Sequence, residues 1–352
     1  MTQPDIPITS SAGNYAVQFI SNLESTLNNE KVLIVADSFF REKYQAFDLK
    51  TFWIDAAEHR KNLGTVEEIT NFMQTHGLKR DGVIVGLGGG VIQDLVTLAA
   101  SIYMRGVNWV YVPTTLLGMV DSCIGGKSSI NTVKSKNLLG NIYPPETVII
   151  DTSFISSLSE IDIKCGLAEA AKIGYCKGLE AFDAISEILT REAEIDYQRL
   201  IYLTLTSKKW FIEIDEFDKN ERLQLNFGHT FGHAIEKASD FKIPHGIGVA
   251  LGMKCALNFN SFVGRSSNNE SVLDSIIAKL VTRSPSWLQN LRIDRTQLIE
   301  AFRSDKKHSA ERFSIILPTD HSGVEICKFD QGPQVEELIT KAFDLTLREV
   351  GF

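Results

Sequence analysis

Apolar runs and helical repeats alternate between Lys31 and Asp151. Lys31-Val32-Leu33-Ile34-Val35-Ala36-Asp37 reads as a buried strand ending in an acid, and Thr51-Phe52-Trp53-Ile54-Asp55 as a second. Val66 to His76 has helical spacing, with Thr65 as its expected N-cap. Asp81 to Leu87 is apolar almost throughout, as a parallel strand covered on both faces must be. It runs into Gly88-Gly89-Gly90, and Leu95 to Arg105 continues as helix. Asn108 to Val112 and Thr147 to Asp151 predict two further strands. Such alternation implies a parallel sheet with helices on both faces.

The pattern changes near Thr152. There is no proline between Pro145 and Pro244, and helical spacing covers Leu167 to Cys176, Leu179 to Glu192 and Leu200 to Trp210. The next strand signal is Phe313 to Leu317, while Ser266 to Glu270 and His321 to Gly323 read as surface turns. The expected organisation is an α/β domain over residues 1–152 and a mostly helical domain over 153–352. No internal repeat or low-complexity segment interrupts it.

Composition narrows the function classes. Of 352 residues, 43% are apolar and 23% charged, and 36 basic against 44 acidic side chains give a net charge of −8. That balance argues against a nucleic-acid partner or a polybasic membrane surface, and leaves room for a local pocket for a small anion. Five scattered cysteines without a CxxC spacing fit free thiols in a reducing cytoplasm. The N-terminus has no basic region followed by an apolar core, so no signal peptide is expected, and no apolar run is long enough for a membrane span.

Candidate chemistry clusters in two stretches. Glycines between a strand and a helix let a pyrophosphate approach the backbone at the helix N-terminus. Gly88-Gly89-Gly90 is not a GxGxxG fingerprint, however, and also suits a tight helix-on-strand turn. Asp94 is placed to accept from a hydroxyl or to stabilise the first helical turn. Thr114 and Thr115 after a strand offer hydroxyls to a cofactor, or simple N-capping. Lys127, Lys136 and Arg105 fall around one strand-to-loop region and suit a phosphate pocket. Further on, Glu169 and Lys172 share a helix face, as an ion pair or with Glu169 as a metal ligand. His229 and His233 also share a face, and His245-Gly246 follows; three of seven histidines lie in this short span, which points to a metal site. Hydrogen-bonded helix-face histidines are the alternative. Lys208, Arg222 and Asn226 precede the first of them, and Asp305-Lys306-Lys307 reads as a solvated charged face.

The order of these motifs resembles the 3-dehydroquinate synthase family, within the sugar phosphate cyclases, from Lys31 to Leu317. The resemblance is carried by Gly88-Gly-Gly-Val-Ile-x-Asp94, Tyr103-Met-Arg-Gly106, Val112-Pro-Thr-Thr-Leu-Leu117, Val120-Asp-Ser122, Gly125-Gly-Lys127, Lys136-Asn137 and Leu167-Ala-Glu169. Asn226-Phe-Gly-His-Thr-Phe-Gly-His233 and His245-Gly246 complete it. It implies an α/β chain with an N-terminal Rossmann-like parallel-sheet domain and a C-terminal mostly helical domain. It also implies NAD and a divalent metal, zinc before cobalt, in a cleft between the domains of a cytoplasmic homodimer. The implied reaction is a lyase-type conversion of a seven-carbon keto-acid phosphate to dehydroquinate and phosphate. Carried over, the metal falls to Glu169, His229 and His245. NAD falls to Asp37, Glu58, Lys61, Gly89, Gly90, Val91, Asp94, Thr114, Thr115, Lys127, Lys136, Phe154 and Ser157. Substrate falls to Asp121, Lys127, Asn137, Lys172, Lys208, Arg222, Asn226, His233 and Lys307, with Arg105 reaching across the dimer.

Two departures stand out. Gln93 occupies a position where the family usually has glycine, and is expected to crowd or contact NAD. Ile247 stands where His-Gly-Glu usually has its acid, so a group supporting the metal ligands is expected to be missing. Arg222 favours a carboxylate-bearing substrate over those of the inosose- or valiolone-forming cyclases. A metal- and NAD-dependent polyol dehydrogenase, or a relative that binds a sugar phosphate without turnover, are the rival readings.

Overall fold

The computed structural model describes residues 3–27, 32–191, 194–281, 291, 293–320 and 323–351. The expected positions Lys31, Glu192 and His321 lie outside the described residues. The chain forms two compact units, one of Met1–Leu158 with Tyr197–Phe217, the other of Ser159–Asp196 with Asp218–Phe352.

The first unit is a seven-stranded sheet. Strands β1 (Ile6–Ile8), β2 (Tyr15–Phe19), β3 (Val32–Asp37), β4 (Thr51–Ile54), β5 (Val83–Gly88), β6 (Asn108–Pro113) and β7 (Thr147–Ile150) take the order β1-β2-β7-β6-β5-β3-β4. All neighbours are parallel except β1 and β2. The central register puts Ile34 beside Val85 and Val85 beside Val110. Val35, Ile84 and Val112 are fully buried, and each such side chain stabilises the fold by about 1.5–3 kcal/mol. The parallel order β4-β3-β5-β6-β7 reverses direction between β3 and β5. Ligands of open α/β sheets bind beyond the carboxyl ends of strands at such a reversal. Asp37 and the triple glycine both stand there.

After the short α1 (Glu24–Leu27), α2 (Leu63–Thr75) starts three residues before the expected Val66, because Asn62 rather than Thr65 caps it, its side chain accepting from the Thr65 amide. Helix α3 (Gly90–Ile102) begins within the glycine turn. It stops before Arg105, because Met104 and Arg105 take left-handed conformations (φ 49° and 69°).

The second unit opens on α4 (Glu160–Lys177), started by a capping box between Ser159 and Asp162. Helix α5 (Leu179–Thr190) follows. Helix α6 (Tyr197–Ile214) belongs to the first unit, where Glu213 accepts from the Thr9 amide beside β1. Among the described residues, the remaining helices are α7 (His229–Ala238), α8 (His245–Phe262), α9 (Glu270–Val281), α10 (Arg295–Arg303) and α11 (Pro333–Glu349), with the antiparallel pair β8 (Arg312–Pro318) and β9 (Val324–Asp330). Phe231 anchors this core, 5.0 Å from Phe302 and 5.2 Å from Phe343 by ring centroid.

Candidate active site

In the first unit, Gly88 and Gly89 are packing glycines. A Cβ on Gly88 would lie 2.4 Å from Ile92, and one on Gly89 would lie 2.9 Å from Thr115. Gly90 faces open space, with nothing within 4 Å of a built Cβ. The start of α3 is therefore accessible to a ligand from that side, with free N–H groups typical of a first helical turn. Val91 follows in that turn, half-buried.

One turn further, Asp94 pairs with Lys61 at 3.2 Å; Lys61 also reaches Glu58 at 3.5 Å and donates to Asn137 at 2.7 Å. Burial pushes the Asp94 carboxyl up to about 6 despite the neighbouring Lys61. Four sequence-predicted residues thus form one network, although the resemblance divided them between cofactor and substrate. Asn131, which sequence reasoning missed, ties the network together: its amide donates to Glu58 at 2.7 Å and its carbonyl oxygen accepts from the Asn137 backbone at 2.9 Å. Thr114 is buried, its amide donating to Gly88. Thr115 accepts from the Gly118 amide at 3.1 Å, which is the capping role.

Asp37 ends β3 with its carboxylate accepting from the Phe39 amide, and burial raises its pKa. Phe154 and Ser157 lie on a 3-10 turn (Thr152–Ser157) and line a cavity of about 380 Å³ with Phe39, Phe40 and Lys43. Gln93 does not project toward the open helix start. Its amide donates to the Ser122 carbonyl at 2.6 Å and accepts from the Ser122 hydroxyl at 2.5 Å. Ser122 ends the π-helical turn Gly118–Ser122 that carries Asp121, and Asp121 meets the buried Lys208 of α6 at 2.5 Å. Lys127, Lys136 and Arg105 are exposed: Lys127 and Lys136 share the connection before β7, where Lys127 bridges Ile142 and Ile130 bridges Leu139, and Arg105 ends the 3-10 turn Tyr103–Arg105.

The second unit's cluster is built on helices whose backbones touch. A Cβ on Gly246 would fall 2.3 Å from the Cys165 Cα of α4. One on Gly232 would fall 2.6 Å from the Gly248 carbonyl, linking α7 to α8. Glu169, one turn along α4 from Cys165, is fully buried and ion-paired with Lys172. Its Oε1 has no hydrogen-bond partner and faces the Nε2 atoms of His245 at 3.4 Å and His229 at 3.9 Å. A buried acceptor left without a donor is costly. A cation placed among one carboxylate oxygen and two imidazole nitrogens would satisfy all three, and their ligand atoms lie within 4.8 Å of one another. The residues present fit a divalent metal.

Their protonation follows from their surroundings. Burial opposes ionisation of Glu169, yet the Lys172 ammonium and His245 hold its carboxyl well below the usual range. Burial, then Lys172, keeps His229 neutral. Its Nδ1 donates to the Phe227 carbonyl at 3.3 Å, leaving Nε2 as the lone-pair nitrogen. His245 is disfavoured as a cation by burial, but the neighbouring carboxylates Glu169 and Glu236 raise it to about 10, so metal binding there must release a proton. Its Nδ1 lies 2.9 Å from Glu236.

Gly228, left-handed at φ 77°, turns the chain into α7 from the 3-10 turn Glu221–Asn226, which carries buried Arg222 and half-buried Asn226. Asn226 donates to the Leu223 carbonyl at 3.0 Å. His233, half exposed, lies 3.9 Å from Asp305, and Lys307 pairs with the same carboxylate at 3.0 Å. Asp305 is therefore not part of a solvated face: its side chain is 6% exposed between the His233 imidazole and the Lys307 ammonium. Glu236 also escaped sequence reasoning, although it follows His229 and His233 at seven and three residues, on their helix face. Ile247 is buried in the α8 core.

Comparison with known proteins agrees with this geometry. The family described as 3-dehydroquinate synthase N-terminal matches residues 51–165, and 3-dehydroquinate synthase C-terminal matches residues 166–308. A 3-dehydroquinate synthase of Clostridium tetani (strain Massachusetts / E88) is 36% identical over 311 residues, 85% of this chain and 82% of that protein. Among solved structures, 2-deoxy-scyllo-inosose synthase complexed with carbaglucose-6-phosphate, NAD+ and Co2+ is similar with a TM-score of 0.81 at 22% identity, covering 97% of this chain and 99% of that one. The 2-epi-5-epi-valiolone synthase of Streptomyces hygroscopicus subsp. jinggangensis 5008, with NAD+ and Zn2+ bound, has a TM-score of 0.78 at 24% identity, covering 95% and 97%. These two similarities establish a shared fold.

Proposed function

Because the chain belongs to the 3-dehydroquinate synthase family, we propose that it converts 3-deoxy-arabino-heptulosonate 7-phosphate to 3-dehydroquinate and phosphate. It does so as a cytoplasmic, homodimeric carbon–oxygen lyase of aromatic amino acid biosynthesis. The observation that carries this reading is the orphaned Oε1 of Glu169 facing two imidazole Nε2 atoms. Glu169, His229 and His245 would hold the metal, zinc before cobalt. The turn Gly89-Gly90-Val91 with Asp94, Lys61, Glu58, Thr114 and Thr115, the Asp37 carboxylate, Lys127 and Lys136, and the Phe154–Ser157 turn would hold NAD. When bound, NAD accepts and then returns a hydride, and the metal polarises the substrate oxygens beside it.

The chain's own residues account for the rest. Lys172 keeps Glu169 ionised at a site where burial opposes it. The fixed charge of Arg222 on its buried turn suits a carboxylate by bidentate pairing. Lys307 and Asn226, with Arg105 from a partner copy, suit the phosphate. His233, half exposed and beside Asp305, is placed to pass a proton between leaving phosphate and solvent. Asp121 and Lys208 orient each other, as Asn137 and Lys61 do, presenting fixed polar groups for substrate hydroxyls.

The test is incubation of the pure protein with the heptulosonate phosphate, NAD and zinc. Phosphate release without net NADH is expected. Net NADH from a simple polyol would overturn the reading in favour of a dehydrogenase, and turnover only of sugar phosphates lacking the carboxylate would reassign it to another cyclase.

A further inference from the structure

His245 presents two nitrogens in opposite directions. Nε2 is 3.4 Å from Glu169 Oε1, and Nδ1 is 2.9 Å from Glu236 Oε1. An ionised carboxylate only accepts, so the Nδ1 position carries the proton in this contact. Glu236 reaches His245 through a slot on α8. A Cβ on Gly248 would lie 2.8 Å from Glu236 Cγ and 2.9 Å from its Oε1, so any larger residue there would displace the carboxylate. Residue 247, beside His245, contributes only a buried aliphatic side chain. The polar support for this imidazole thus comes from α7, the helix that also carries His229.

We propose that Glu236 is a positioning residue of the metal centre: it holds the His245 ring in the tautomer and orientation that turn the Nε2 lone pair toward Glu169 and His229. The proposal rests on the reading of Glu169, His229 and His245 as metal ligands. The two histidines are then fixed by different means, His229 by the Phe227 carbonyl and His245 by a carboxylate. A carboxylate behind a ligating imidazole also raises its basicity, and loss of such a partner weakens metal binding about 10–100-fold. Glu236, His233 and His245 also lie within ligand distance of one another. A cation there would need the His245 nitrogen that Glu236 keeps protonated, so the Glu169 side is the favoured position.

The test uses the full-length protein with NAD present, as wild type, Glu236→Leu, Glu236→Gln and His229→Ala. Zinc affinity is measured by chelator competition, and the visible spectrum is recorded after cobalt substitution. Glu236→Leu is expected to bind zinc about 10–100-fold more weakly with an altered cobalt spectrum. Glu236→Gln, whose amide oxygen still accepts from Nδ1, should recover part of the affinity and move the spectrum back toward wild type. Unchanged affinity in Glu236→Leu overturns the proposal. So does equal weakening in both variants with equal loss of metal-free thermal stability, which would mark a structural role. If wild type binds no zinc, or His229→Ala binds it as tightly as wild type, the ligand assignment fails and this inference with it. Zinc binding lost in His229→Ala but intact in Glu236→Leu sinks the positioning role alone.

Discussion

At the end of β5, Gly90 meets nothing within 4 Å of where a side chain would start. At the crossing of α4 and α8, Gly246 meets the Cys165 backbone at 2.3 Å by the same measure. One glycine keeps a space open and the other closes one. The two regions also treat buried acids differently: in the first unit burial pushes Asp94 up to about 6. In the second, burial of Asp305 is outweighed by His233 and Lys307, which hold its carboxyl far below the ordinary 3.8. A site at strand ends can leave room and tolerate partial neutralisation, because its ligand supplies the missing contacts. A site formed by helix faces needs its backbones in contact and its charges paired before any ligand arrives.

The strongest way to break this contrast is His229→Ala. It should abolish zinc binding and phosphate release together, and metal analysis showing unchanged zinc would refute the ligand set. Gly246→Ala should follow, destabilising by about 1–3 kcal/mol as overpacking does. Here the added methyl meets backbone that cannot rotate away, so urea midpoint and zinc affinity should fall together. An unaffected midpoint would show that the α4–α8 contact has slack.

The acids sharpen the contrast through pH. Asp305 has a depressed native pKa, so it adds stability above its ordinary 3.8 that is lost as pH falls below that value. Asp305→Asn should lower neutral-pH stability by on the order of 2 kcal/mol and flatten the acid limb of the unfolding profile. Asp94 has a raised native pKa, so its contribution is full below 3.8 and is lost as pH rises through about 6. Asp94→Asn should remove that decline, and urea midpoints across this range that keep the same slope in both variants would contradict the assignment. The smallest expected effect is Gly90→Ala. Stability should stay within about 0.5 kcal/mol, while NAD binding weakens roughly tenfold, about 1.4 kcal/mol. Isothermal titration showing normal NAD affinity would remove the cofactor from this turn.

The same contrast governs what was legible in the sequence. Strands β3 to β7 announce themselves as apolar runs because a parallel strand is buried on both faces. β1 and β2 do not: Ile6–Ile8 is three residues long with a proline at its centre, and β2 alternates buried residues with less buried ones, Gln18 being exposed. Helix spacing identified α6 but not the unit it joins, since periodicity says that a face is buried and not against what. The proposed ligands His229 and His245 were visible because histidines are few and their residue type suits a metal. Glu236 and Asp305 were not, because an acid on a helix or beside two lysines looks the same whether solvent or an imidazole faces it. The residue type of Gln93 suggests crowding of NAD or contact with it, and only the position of Ser122 reveals where its amide is engaged.

The left-handed residue at Gly228 couples two parts of this chemistry. A Cβ there would lie 2.7 Å from both the Cγ and the backbone nitrogen of Met253, so the corner between Asn226 and His229 admits little remodelling. Whatever shifts the segment bearing Arg222 also tugs on the first imidazole. Given the proposed carboxylate-binding role of Arg222, laboratory selection for new substrates should therefore accumulate side-chain exchanges at position 222 itself, and variants with loop insertions at that corner should drop out of the surviving pool.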